Sequence, residues 1–481
     1  MTRKKATSRL NHYKLRWKKM KKEELEQQFT SLFAEVKKQE NFNGVVLVAV
    51  QGETVLCDAI GIAEYNDGSA RRLTIGSMFE LASVSKPITA LGIVFLQQQG
   101  KLDWDDPIAN WIPELPYPGI TVRHLLCHTS GLPDYMELFA KKWDPMRYAC
   151  NEDVLRMLIE HQPEPLFAPN EHWLYSNTGY ILLAILIERI SGQSYCDFLD
   201  EQIFQPLRMK RTLVYNRRVD LRDVPNDYAF GYVYRIEHNG YVLPDEIPEL
   251  NYVKYLDGLQ GDGMVNSTAD DLLRLDRALY DDNFISPIVR QLIFSPVMMN
   301  KGESFDYGMG WLLEDDERLG KSVHHSGGWP GYSTLFKRYI DRDITLIMLQ
   351  NGEQNHAYTQ QLVNSIEKIM SGEAYTVPKP LESKIIIPLD LKNAEILLGK
   401  YRFANEQGDP SDVDVFVEQA KLYMRMENGM VLKLLPLSST CYYEEQTATE
   451  LEFQNDEGGK GMRLIWHSNA KPEVAERVGI D

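Results

Sequence analysis

The sequence predicts an α/β (α+β) body followed by a small all-β domain. Three observations carry this. GVVLVAV (44–50) and TVLCDAIG (54–61) flank a tight turn at Gln51-Gly52, and STLFKRY (333–339) and ITLIMLQ (344–350) flank another at Asp341 to Asp343. These are β-hairpin patterns. A long run of helical patterns and loops separates them, so one antiparallel sheet is closed by segments remote in the chain. Beyond residue 390 the periodicity changes to six short strands: VDVFV (413–417), LYMRM (422–426), MVLKLL (430–435), CYYE (441–444), LEF (451–453) and MRLIW (462–466). Their even spacing predicts a small barrel or sandwich, and Asn428-Gly429 is a type I′ turn signal.

The elements follow in order. Residues 1–22 carry ten Lys/Arg and no acid, and read as a basic, disordered arm. Such an arm also suits peripheral contact with anionic lipid or wall polymer. Leu25, Phe29, Leu32, Phe33 and Val36 then form one apolar helical stripe. An apolar run from Thr178 to Gly192 predicts a buried helix. Leu362, Ile366, Ile369 and Met370 mark a helix after the second hairpin. The Pro-containing, polar stretch EAYTVPKPLESK reads as a linker. The expected division is a body over 23–372 with a helical insert at about 100–260, a linker over 373–390, and a β domain over 391–481.

Composition narrows function. The chain has 481 residues, with 52 Lys/Arg against 69 Asp/Glu, a net charge of -17. An acidic bulk repels polyanions, so nucleic acid is not an expected partner. The five cysteines are scattered with no CxxC pair, which reads as reduced thiols rather than a disulfide framework. No run of 18 apolar residues predicts a spanning helix, and no apolar segment follows the basic N-terminus as in a secretory signal. The expected location is cytoplasmic or peripheral at a membrane. GxSxG, HExxH, GxxxxGK[ST] and GxGxxG are absent from the sequence.

Three stretches can carry chemistry. In FELASVSKPITALG (79–92), Ser83 opens a helical pattern and Lys86 lies one turn on, so the amine can approach the hydroxyl. A serine alcohol needs a neighbouring base, and a helix N-terminus directs N–H groups toward developing negative charge. Ser85 has no lysine at that offset. Alone, S-x-x-K is better explained by an N-cap serine and a surface lysine. In YSNTGYILLAILIE (175–188), Tyr175 and Asn177 stand at the mouth of the buried helix, where a phenolate can act as base and an amide can donate to a carbonyl. The plain alternative is a core tyrosine and Asn177 as N-cap. In HSGGWPGYS (325–333), His325, Ser326, Gly327 and Gly328 precede a strand, and the glycines admit close approach of a ligand to backbone. A fourth stretch, HLLCHTSG (124–131), places His124 and His128 at i, i+4, but helix packing explains it better than a metal.

The joint order S-x-x-K, Y-x-N, H-x-G, with ITVRHLLCHTSGLPDY, GLQGDGMVNSTADDLLRL (258–275) and YGMGW (307–311), resembles the serine beta-lactamase and penicillin-binding protein superfamily, in its class C-like branch. The resemblance spans roughly 40–370. It implies a serine beta-lactamase-like fold: an antiparallel sheet flanked by helices, with an all-helical subdomain. The C-terminal part would be a lipocalin-like barrel or sandwich. It implies Ser83 as acyl-accepting nucleophile, Lys86 as proton carrier, Tyr175 as general base and acid, and Asn177 as orienter of the substrate amide. Ser83 and Gly328 would supply the oxyanion N–H groups beside Ser326 and Gly327. His325 stands where many relatives carry the Lys of K-T-G, and an imidazole is only partly cationic near neutral pH. The implied activity is a cofactor-free, metal-free serine hydrolase that cleaves D-amino-acid-containing peptides of peptidoglycan and is acylated by penicillin. A carboxylesterase, a weak class C-like beta-lactamase and a non-catalytic muropeptide sensor are the alternatives.

Overall fold

The N-terminal stripe folds as helix α1, Lys22–Gln39, with Leu25, Phe29, Leu32, Phe33 and Val36 all buried. Glu23 and Glu24 open it and Lys37 and Lys38 close it, matching the helix dipole. The computed structural model describes residues 22–66, 69–235, 240–352, 356–379, 386–403, 411–418, 420–426, 431–444, 449–455, 462–467 and 472–478. The basic arm, apart from Lys22, and the Asn428-Gly429 turn lie outside the described residues.

Strands β1 (Gly44–Val50) and β2 (Glu53–Ile60) form the first hairpin. Gln51 and Gly52 between them take φ of 53° and 78°, as a two-residue I′ turn requires. Helix α2 (Ser85–Gln98), preceded by a 3-10 turn over Ala82–Val84, and helix α3 (Asn177–Ser191) pack on each other. Shorter helices, Val122–Leu126, Tyr135–Lys142 and Asn151–His161, lie between them. Helices give way to short strands at Leu213–Val214, Val233–Arg235 and Gly240–Val242. Strands β3 (Leu312–Asp316), β4 (Gly320–Trp329), β5 (Tyr332–Tyr339) and β6 (Ile344–Gln350) complete a six-stranded sheet of order β3-β4-β5-β6-β1-β2. Its neighbours are all antiparallel, and β1 meets β6 from Gly44↔Gln350 to Val50↔Ile344. The two remote hairpins therefore share one sheet, and Val45, Leu47, Phe336, Ile347 and Leu349 join the same buried core as α2 and α3. Helix α4 (His356–Ser371) follows, with Leu362, Ile366, Ile369 and Met370 buried.

The chain divides into two compact units, Met1–Gln354 with Ser365–Val377, and Asn355–Asn364 with Pro378–Asp481. In the second, helix α5 (Leu391–Leu397) precedes a closed barrel of eight strands. These are β7 (Gly399–Phe403), β8 (Ser411–Glu418), β9 (Lys421–Met426), β10 (Val431–Pro436), β11 (Cys441–Glu444), β12 (Thr449–Asn455), β13 (Met462–His467) and β14 (Glu473–Arg477). Six match the short strands of the sequence. The other two, β7 and β14, pair with each other and close the ring through Tyr401↔Arg477 and Phe403↔Ala475. Leu422, Met424, Leu434, Leu451, Phe453 and Leu464 fill its interior. Among the described residues, no helix is long and apolar enough to cross a membrane.

A buried charge cluster braces the sheet edge of the helix Ala269–Ala278. Arg338 on β5 donates to the Asp276 carboxylate, whose other oxygen accepts from Thr345 Oγ1 at 2.8 Å, and both charged side chains are almost fully buried. Asp276→Ala leaves Arg338 buried without its carboxylate. We expect a loss of about 3–5 kcal/mol in urea unfolding of the first unit, whereas Asp270→Ala on the exposed face should change little.

Candidate active site

The turn that carries Ser83 is held from two sides. Leu81 N–H donates to Val265 O at 2.8 Å, and Leu81 O accepts from Thr334 Oγ1 on β5 at 2.7 Å. Ala82 takes φ of +47°, a left-handed conformation costly for a residue with a Cβ, and Ser83 follows half-buried. The serine lies in the 3-10 turn rather than in the α-helix proper. Ser85, the neighbouring hydroxyl, is fully buried and accepts from Val265 N–H, a structural role.

Lys86 is completely buried, and its amine makes three hydrogen bonds. These go to Ser83 Oγ at 3.1 Å, Asn177 Oδ1 at 2.9 Å and the Asp262 carbonyl at 2.9 Å. The amine also stands 4.9 Å from the centre of the Tyr175 ring. The S-x-x-K and Y-x-N stretches thus meet at one nitrogen. Asn177 is not the cap of α3: Ser176 caps it, its Oγ accepting from Gly179 N–H at 3.1 Å. That leaves the Asn177 amide free to turn inward. Its Nδ2 has only the Met136 thioether, 4.0 Å away, a weak acceptor that a substrate carbonyl can replace. Tyr175 is 37% exposed, and its hydroxyl has no hydrogen-bond partner among the described residues.

The H-x-G stretch lies on β4 against the serine turn. A Cβ on Gly327 would fall 2.3 Å from both Leu81 O and Thr334 Oγ1 and 3.1 Å from Ser83 N, so only glycine allows this approach. Gly328 faces open space and is exposed, as is Ser326. His325 is a correction to the partly cationic imidazole expected from sequence. It is buried, its Nδ1 lies 2.6 Å from Ser326 O, and its Nε2 lies 3.3 Å from Tyr307 Oη. Burial, reinforced by the nearby Lys86 charge, pushes it down to about 3. It is neutral at pH 7.

Asp262 and Tyr307 were not singled out in the sequence, and His128 was read there only as a packing residue. Asp262 supplies the carbonyl that holds Lys86, while its carboxylate accepts from Tyr135 Oη at 3.0 Å. His128 and Tyr307 line the floor, with imidazole and phenol 3.1 Å apart. GLQGDGMVNS, HTSG and YGMGW were visible as motifs, but a backbone acceptor and a buried histidine leave no chemical signature in composition. His124 is occupied as a capping partner, its Nδ1 accepting from Thr121 N–H, and no metal-holding cluster occurs among the described residues.

A serine, lysine and asparagine joined in this way beneath an antiparallel sheet define a serine hydrolase of the beta-lactamase type. The Beta-lactamase family matches residues 29–367, and the chain belongs to that family. It is similar to penicillin-binding protein 4* of Bacillus subtilis (strain 168), 43% identical over 444 residues, which cover 92% of this chain and 97% of that one. It is also similar to the D-aminopeptidase of Brucella canis, 28% identical over 65% of this chain and 57% of that protein. Among solved structures, a penicillin binding protein from Bacillus halodurans superposes with a TM-score of 0.57 at 25% identity, covering 66% of this chain and 94% of that one.

Two outcomes follow from the geometry. Gly327→Ala must displace the strand from Ser83 N–H. Acylation by labelled penicillin should fall by about 100-fold or more, with circular dichroism unchanged. For His325, the sign of the shift means that its ring takes up a proton only near pH 3. Nitrogen-15 spectra of histidine-labelled protein should show a neutral, Nδ1-protonated ring from pH 8 down to pH 5.

Proposed function

We propose that this protein is a penicillin-binding-type serine hydrolase that acts through an acyl-enzyme on Ser83 and cleaves D-amino-acid-containing peptides. The observation that carries the reading is the Lys86 amine, bonded at once to Ser83 Oγ and Asn177 Oδ1 and set against the Tyr175 ring. Ser83 Oγ attacks the substrate carbonyl as its proton passes to the Tyr175 phenolate, which stands beside the Lys86 ammonium that donates to Ser83 Oγ. The new oxyanion is received by the N–H groups of Ser83 and Gly328. Asn177 Nδ2 orients the substrate amide, and Tyr175 returns the proton to the leaving amine. Water then releases the acyl group by the reverse use of the same residues.

The substrate class draws on the relatives named above and on His325. A neutral imidazole turned toward Tyr307 offers no fixed charge to a carboxylate beside the scissile bond. That favours internal peptide bonds, amides and esters over D-Ala-D-Ala termini and penicillins as turned-over substrates, with penicillin acting as a slow acylator. This reading assigns catalysis to 23–372 and leaves 391–481 as a separate β module. The ten cations of residues 1–22 suit peripheral contact with anionic wall polymer.

Mass spectrometry after labelled penicillin tests the chemistry. A single adduct on the Ser83 peptide, absent in Ser83→Ala, is expected. An equal adduct in the variant would refute it. On the same sample, cleavage of muropeptide cross-links selects the peptidase. Ester turnover alone selects an esterase, and binding that survives Ser83→Ala without turnover selects a sensor.

A further inference from the structure

His128 and Tyr307 belong to two motifs, HTSG and YGMGW, that the acyl-transfer scheme does not use. His128 grips the segment around Tyr175 at two points. Its carbonyl accepts from Leu174 N–H at 3.0 Å, and its Nδ1 accepts from Ser176 N–H at 3.0 Å. Its ring lies 4.3 Å from that of Tyr175. Its Nε2 lies 3.1 Å from Tyr307 Oη, which lies 3.3 Å from His325 Nε2, while His325 Nδ1 lies 2.6 Å from Ser326 O.

The hydrogens in this chain can be counted. An amide N–H only donates, so His128 Nδ1 carries a lone pair and Nε2 the proton. A carbonyl only accepts, so His325 Nδ1 carries the proton and Nε2 the lone pair. The Tyr307 hydroxyl then accepts from His128 and donates to His325. Every link is satisfied in one direction with both imidazoles neutral, and the Tyr180 hydroxyl, which donates to Leu126 O, is a further neighbour of Tyr307. The surroundings agree: both rings are buried, and both are pushed below the ordinary imidazole value by burial first and by Lys86 second. Tyr175, Tyr180, Tyr307 and Trp173 stand around His128 at 4.3 to 6.1 Å.

We propose that His128 and Tyr307 are positioning residues that hold the Tyr175 segment in register with the H-x-G strand, through one directional chain of neutral hydrogen bonds running beneath the active site. The chain joins the wall that bears the proton-transfer phenol to the wall that bears the oxyanion donors. It rests on the serine-hydrolase reading above. It acts through Tyr175 and Gly328 and touches no reacting atom, so its loss lowers the acylation rate constant and spares the affinity of the first encounter.

Single-turnover acylation by fluorescent penicillin, with rate constant and dissociation constant resolved, tests this in the full chain. Tyr307→Phe keeps the ring and removes the link. We expect the rate constant to fall by about tenfold or more while the dissociation constant stays within about threefold. His128→Asn retains an acceptor for Ser176 N–H and should be faster than His128→Ala. The double variant Tyr307→Phe/His128→Asn should be little slower than the worse single one, because both break one chain. Equal rate constants for wild type and Tyr307→Phe, or fully additive losses in the double variant, would overturn the proposal. If Tyr307→Phe lowers thermal stability, measurement well below its melting temperature separates folding from positioning. A wild type that penicillin does not acylate would instead overturn the hydrolase reading, and this inference with it.

Discussion

The site depends on satisfying one buried amine. Lys86 is sealed from solvent, where an unpaired donor costs several kcal/mol. Its three hydrogen bonds come from the serine turn, the first residue of α3 and the Asp262 loop. The folding requirement to satisfy Lys86 therefore also draws Ser83, Asn177 and the Asp262 loop to one point. α2 brings the amine into the core, and α3, packed on α2, delivers Asn177 because Ser176 takes over the capping duty.

A second constraint governs the opposite wall. The glycine at 327 lets β4 lie against the serine turn, and the Thr334 hydroxyl on β5 fixes the carbonyl two residues before Ser83. Ser83 is thus gripped by the sheet while Lys86 and Asn177 come from the helices. The left-handed Ala82 lies between those grips. Strain at one residue is tolerated because both flanking segments are tied down, the usual circumstance of backbone outliers beside reactive groups.

Much of this was legible in the sequence, for physical reasons. The stripe of α1 and both hairpins were readable because burial on one face imposes a period on the chain. The positions of Ser83, Lys86, Tyr175 and Asn177 were readable because chemistry restricts residue type. His325 was legible as part of H-x-G, but its neutrality was not. Charge depends on enclosure, and enclosure comes from Tyr307 and Lys86, remote in sequence. Asp262 escaped because its contribution is a main-chain carbonyl, which any residue type supplies. In the barrel, β7 and β14 escaped because GKYRF and EVAER are charged on their outer faces, and Ala475 alone of β14 is buried.

That last strand has a consequence for how the molecule tolerates wear. A ring of strands has no beginning once its seam is sewn; here the seam is β7 against β14. Loss of β14 would unzip a closed cylinder into a curled ribbon with two bare margins, each able to recruit another chain. Strand β14 thus guards the barrel against self-association.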